Sequence, residues 1–196
     1  MASLLDSLML QVRNGKSTTS MGRSWGDEAK PLRPPVSPQY LARAEAQLGF
    51  TLPPLLRDIY TKIANGGLGP GYGFFEVKIA DSAQYDDEQT LVELYHAFRR
   101  SRKRGAPWAE KLLPICTWGC SFYSYIDCAL PQAPVLIIDT NSHGHGPWDC
   151  AFALQAKSFE EWMYRWADGE DLWKSTEIGG EPKLGFEEYG SAETVD

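Results

Sequence analysis

Apolar residues change their spacing along this chain, and the changes divide it into helices and strands. From Ser3 to Val12, Leu4, Leu5, Leu8, Met9 and Val12 share one helical face before Asn14-Gly15 interrupts it. Two further helices follow between Ser37 and Gly67. In the first, Leu41, Ala44 and Leu48 recur at three- and four-residue spacing, with Arg43 and Gln47 on the other side. Ser37 supplies an N-cap oxygen, and Pro38 suits the first helical position because it has no N–H to leave unpaired. Gly49 stands where a left-handed C-terminal cap needs positive φ, and Phe50 can fold back onto the apolar face. The second helix starts near Pro53 and Pro54 and carries a wide stripe of Leu52, Leu55, Leu56, Ile59, Tyr60 and Ile63. Asn65-Gly66-Gly67 ends it. Each aliphatic member, once buried, contributes roughly 1.5 to 3 kcal/mol, so this pair is predicted to nucleate the core.

Beyond Gly67 the period shifts again. Gly69, Gly71 and Gly73, interleaved with Pro70 and Tyr72, lead into Phe74-Phe75-Glu76-Val77; without the Walker spacing or its Lys-Ser/Thr ending, this reads as a turn and not as a phosphate loop. A third helix is predicted over residues 86–104, with Leu91, Leu94, Tyr95 and Phe98 inward. It ends in Arg99, Arg100, Arg102, Lys103 and Arg104, where cations suit a helix C-terminus. That basic run is either a solvated face or a rim able to meet a partner or the chain's own acidic tail. Strands are predicted at Leu112–Cys116, Phe122–Asp127, Val135–Asp139 and Phe152–Leu154. In the second, Phe122, Ser124 and Ile126 alternate with Tyr123, Tyr125 and Asp127, giving one mainly apolar row and one more polar. Ser158 and Glu161 form a capping-box pattern for a last helix whose apolar face is Phe159, Trp162, Met163 and Trp166, closed by Asp168-Gly169.

One ordered set of residues resembles a known family. An apolar helix bearing Glu45, then Leu48-Gly49, Leu52-Pro53, an aromatic-aliphatic helix through Ile59-Tyr60, and Asn65-Gly66-Gly67 is similar to the SUKH superfamily. The terminal pattern Ser158, Phe159, Glu161 and Trp162 also fits it. The superfamily includes fungal cell-wall-synthesis regulators and many bacterial immunity proteins that neutralise toxins from neighbouring cells. The resemblance covers residues 37–173 and implies an α+β fold in which helices pack around a largely antiparallel central sheet. It also implies that Glu45, Leu48, Gly49, Leu52, Pro53, Asn65, Gly66 and Gly67 maintain the scaffold. Residues 1–36, a helix and an irregular connection, and residues 174–196, an acidic C-terminal tail, lie outside it.

Composition narrows the function. At 196 residues, with 43% apolar and 12% aromatic side chains, the chain suits one globular domain with extensions. Its net charge of −7 is uneven: residues 159–196 hold eleven carboxylates against three cations, a net of −8. Such an end repels phosphates and attracts basic proteins, which argues against nucleic acid and for a cationic partner, or else only aids solubility. No apolar run reaches a membrane span of roughly 18 residues. The N-terminus carries Asp6 and no basic leader. Cys116, Cys120, Cys128 and Cys150 lack paired zinc spacing. These features predict a cytoplasmic protein with free thiols and no metal or cofactor.

The loop 140–149 holds His143 and His145, but two histidines in a glycine-rich loop have no fixed geometry, and a third ligand would have to be chosen freely. No serine or cysteine sits in a nucleophile motif, so no catalysis is expected. The expected function is non-catalytic protein binding, most concretely toxin neutralisation. An intracellular regulatory scaffold is the first alternative, and a metal-dependent enzyme using His143 and His145 the second. The expected partner surface joins acidic Asp139, Asp149, Glu170 and Asp171 to aromatic Tyr123, Tyr125 and Trp148. The competing expectation is that the aromatics are core and the acids merely solvate the surface.

Overall fold

The computed structural model describes residues 3–14, 18–19, 32–78, 90–100, 108–140 and 152–176. His143, His145, Trp148, Asp149, Cys150, the basic residues 102–104 and the tail from Glu177 lie outside them. Helix α1 (Leu4–Arg13) opens with a reciprocal cap. Ser3 Oγ accepts the Asp6 N–H while Asp6 accepts from the Ser3 backbone. Its buried face, Leu4 and Leu8, joins the main core, and Gln11 donates to the Ala167 carbonyl at the far end of the chain.

Helix α2 (Pro38–Leu48) is capped by Ser37 Oγ, which accepts the Tyr40 N–H at 3.2 Å, and stops at Gly49 with φ +84°. Glu45 is nearly buried on it because it closes the following corner: its Oε1 accepts the Leu52 N–H at 2.8 Å, and the Arg57 guanidinium lies 3.0 Å away. Helix α3 (Pro54–Asp58) departs from the continuous helix expected, since Ile59–Ile63 widen into a π turn closed by Ala64 N–H on the Ile59 carbonyl. Thr61 Oγ1 takes up the Arg57 carbonyl, and the wider turn brings two consecutive large residues, Ile59 and Tyr60, fully into the core.

The glycine-rich stretch is a place where backbones touch. Asn65 works as a strand mimic: its Oδ1 accepts the Val77 N–H at 3.0 Å and its Nδ2 donates to the Val77 carbonyl at 3.1 Å. Gly67 N–H donates to the Phe74 carbonyl at 2.9 Å. A Cβ on Gly73 would sit 2.6 Å from the Gly67 carbonyl, and one on Gly66 3.0 Å from the Phe74 carbonyl oxygen. These contacts, with φ +83° and +93°, explain the glycines without a ligand. A two-residue parallel ladder of β1 (Thr18–Thr19) and β2 (Gly69–Pro70), absent from the sequence reading, starts the same stretch.

Helix α4 (Leu91–Arg100) begins later than residue 86, because Thr90 and Glu93 cap it reciprocally. The sheet that follows is an antiparallel meander of β3 (Leu112–Gly119), β4 (Phe122–Asp127), β5 (Val135–Asp139) and β6 (Phe152–Ala156), in that spatial order. β3 and β6 run past their expected ends at Cys116 and Leu154. The outer edge of β3 is covered by the 72–75 segment, through Tyr72 N–H on the Thr117 carbonyl and Phe75 N–H on the Ile115 carbonyl. Helix α5 (Phe159–Ala167) is capped by Ser158 Oγ on the Glu161 N–H at 3.1 Å, although Glu161 itself returns to Lys157 N–H and so leaves the box half formed.

The sheet is therefore buried on both faces. One face, with Ile115, Ser124, Ile126 and Ile137, packs on the helices; the other carries a second core of Leu112, Tyr125, Leu136, Ile138 and Phe152 beneath Trp108 and Phe98. This is an α+β fold, as expected. Cys116, Cys120 and Cys128 are free thiols, and burial pushes that of Cys116 up to about 12.

Candidate partner-binding rim

At the β3–β4 turn, Gly119 takes φ +93° and Cys120 +49°, so the chain reverses tightly between Thr117 and Phe122. The turn is fixed from inside by Thr117 Oγ1, which donates to the Phe122 carbonyl at 3.1 Å and accepts the Gly119 N–H at 3.1 Å. It is fixed from beside by β5, where Thr140 N–H reaches the Ser121 carbonyl at 2.9 Å and Ser121 Oγ bonds Asp139. Phe122 and Asp139 are register partners, so an aromatic ring and a carboxylate leave the sheet together.

Two other segments add aromatic surface. Tyr72 lies against Gly119, whose missing Cβ would stand 3.1 Å from the ring, and is 43% exposed. From the far end of the chain comes 170–176. Trp173 meets Phe122 edge to face at 5.1 Å between centroids and Trp118 at 5.8 Å. Asp171 turns this segment by accepting the Trp173 and Lys174 N–H groups, each at 3.2 Å, and its side chain stays half exposed.

The 170–176 segment is fastened from below by a polar chain. Trp118 Nε1 donates to Ser124 Oγ at 2.7 Å, and Ser124 Oγ donates to Gln155 Oε1 at 2.5 Å. Gln155 Nε2 in turn donates to Thr176 Oγ1 at 3.0 Å. Gln155 can span β5 because it is the extra residue of a bulge, between the Leu154–Leu136 and Ala156–Val135 pairs. Alongside, Arg165 grips Glu170 in a two-pronged pair at 2.8 and 2.6 Å and donates to the Gln155 carbonyl. The hydrogen bond from Arg165, and secondarily one from Ser175, holds the Glu170 carboxyl below its usual range despite some opposing desolvation.

Of the expected partner residues, Asp139 and Asp171 come to this one end of the sheet. Glu170 is turned inward to Arg165 and serves the fold. Tyr125 is a correction: it is fully buried between Trp108 at 5.0 Å and Phe98 at 5.5 Å, so it offers a partner no surface. Burial raises its hydroxyl pKa well above the ordinary value. Tyr123 lies on the same opposite face, half-buried against Phe75 and Phe98. Trp148 and Asp149 lie outside the described residues. Tyr72, Phe122 and Trp173 were missed. Phe122 lay in the row already read as apolar, Tyr72 stood in a glycine stretch read only as a turn, and Trp173 followed Asp171 where no period exists to read.

No group of three or more His, Cys, Asp and Glu side chains that could hold a metal occurs among the described residues. No helix among them is long and apolar enough to cross a membrane. No curated protein matches the chain. Residues 35–165, well over half of the chain, match the SMI1 / KNR4 family (SUKH-1), and since the helix pair, the Asn65-Gly66-Gly67 turn and the four-stranded meander all fall within that span, the chain belongs to that family.

Proposed function

We propose that this chain is a non-catalytic protein-binding domain, and most concretely a cytoplasmic immunity protein that binds and neutralises a cognate bacterial toxin. The observation that carries the reading is the meeting of exposed Tyr72 and half-buried Phe122 and Trp173 with Asp139 and Asp171 at one end of the sheet. Aromatic rings give a partner large rigid contact area, and carboxylates beside them favour a basic surface and disfavour phosphate. Family membership supports protein binding in general; the toxin is the finer step. Co-purification tests it. The tagged chain is expected to hold the product of an adjacent gene encoding a secreted toxin and to block that toxin's activity. Capture of several host proteins with no such toxin would instead fit a regulatory scaffold. Stoichiometric zinc or iron, lost with activity in a His143→Ala/His145→Ala variant, would fit a metal enzyme.

A further inference from the structure

At the end of the sheet opposite the rim, two cations of this acidic chain stand without carboxylate partners. Arg33, Arg57, Lys62, Arg165 and Lys174 each pair with a glutamate or an aspartate. Arg99 and Lys111 form no ion pair among the described residues, yet both line one open cavity of ≈ 280 Å³, together with half-buried His96. β3 starts at Leu112 beside this cavity and ends at Gly119 on the rim, which separates the two surfaces by roughly 20 Å.

Helical spacing and a clamped loop put the three side chains together. His96 and Arg99 are three positions apart on α4 and so share a face. Tyr95 donates its hydroxyl to the Glu110 carbonyl, Arg99 Nη1 donates to the Trp108 carbonyl at 2.7 Å, and Trp108 Nε1 donates to the Leu112 carbonyl at 3.0 Å. These bonds lash residues 108–112 to α4, and the Cys128 N–H holds the Lys111 carbonyl at 2.9 Å. Lys111 is thus presented from a fixed backbone, while the Arg99 fork is fixed by one N–H and keeps others for a ligand. Gly49, at the end of α2, lines the cavity too, and a Cβ there would meet nothing within 4 Å, so that wall leaves room. Glu110 is the one carboxylate among the described lining residues.

We infer that this cavity is a phosphate-binding site, taking the group free or as a small monoester. A phosphate monoester carries nearly two negative charges on three acceptor oxygens, which matches two unpaired cations and an imidazole N–H offered from two elements. A planar carboxylate would be satisfied by the Arg99 fork alone. The volume lies at the ~300 Å³ lower end of small-molecule pockets, so any carrier of the phosphate is small.

Titration of the full chain with inorganic phosphate and with glycerol 3-phosphate, followed by NMR at constant ionic strength, tests it. Saturating shifts are expected at the amides of residues 49–50, 96–99 and 110–111 and at Arg99 Nε–H. Tighter binding of glycerol 3-phosphate would show that the site reads an ester, and equal binding that it takes the free ion; both uphold a phosphate site. Lys111→Gln, at an exposed position, should weaken binding about fivefold, and Arg99→Lys should weaken it as well by removing the fork, whereas Arg13→Gln on α1 should change nothing. Shifts that do not saturate would overturn the inference. So would succinate binding as tightly as phosphate, or unchanged affinity in both Lys111→Gln and Arg99→Lys.

Discussion

At the scale of single residues, the clearest distinction is between glycines that turn the chain and glycines that let two backbones touch. Gly49 has φ +84° but open space around its missing Cβ. Gly49→Ala should therefore cost only the left-handed conformation, about 1 kcal/mol. Gly73 has nearly the same φ, +83°, yet its Cβ would lie 2.6 Å from Gly67. Backbone cannot swing aside as a side chain can, so Gly73→Ala should cost about 3 kcal/mol, conformational strain plus forced separation of the two segments. Urea denaturation of the two variants checks this, and equal losses would contradict it. The sequence marked Gly49 as a helix stop that needs positive φ and Gly73 as part of a turn. It did not show the close approach, which depends on what the fold brings opposite. Glu45 and Asn65 show the same limit: each could be assigned to the scaffold by resemblance, but the N–H groups of Leu52 and Val77 that they satisfy lie seven and twelve residues away.

Elements were legible where the period was strong. α2, with its Ser37 cap and Gly49 stop, and β5 (Val135–Asp139) fall where apolar spacing put them. The ends that moved did so for nameable reasons. α4 starts at a Thr90–Glu93 capping box that the basic and apolar periodicity obscured. The π turn rests on a hydroxyl taking one carbonyl, a detail carrying no periodic signal. The 170–176 segment had no period at all, and its placement hangs on the Arg165–Glu170 pair and the Gln155–Thr176 bond. This yields a pH dependence of known sign. Glu170 is held below its ordinary value of 4.5 mainly by the hydrogen bond from Arg165, so the folded state binds that proton less tightly than the unfolded chain. Its stabilisation is complete above that ordinary value and is lost as pH falls through the depressed folded one. Because the pair is partly exposed, Glu170→Gln should lower Tm by only about 2 °C at neutral pH, and the gap should close in acid. A gap that widened on acidification would contradict the assignment.

For the whole molecule, the meander and its helices bring the β3–β4 turn, the 65–77 stretch and the segment after α5 to one end, so residues more than a hundred positions apart share a surface. Of the five residues of that rim, the two carboxylates were named from the sequence and the three rings were not. Asp139 and Asp171 stood at element ends, where side chains leave the core. Tyr125 misled because one row of β4 looked amphipathic, whereas Trp108 and Phe98 seal that face. The proposed docking of a basic protein on this rim can be read from binding kinetics against the co-purified partner. Asp171→Asn keeps the acceptor that turns the 171–174 segment and removes one charge. Tyr72→Ala removes an exposed ring whose backbone N–H, not its hydroxyl, is tied to β3. Asp171→Asn is expected to slow association and flatten its salt dependence, while Tyr72→Ala is expected mainly to speed dissociation, by about tenfold for a ring at the centre of the contact. Parent rates for both variants, in folded protein that still forms the complex, would contradict it and place the interface elsewhere.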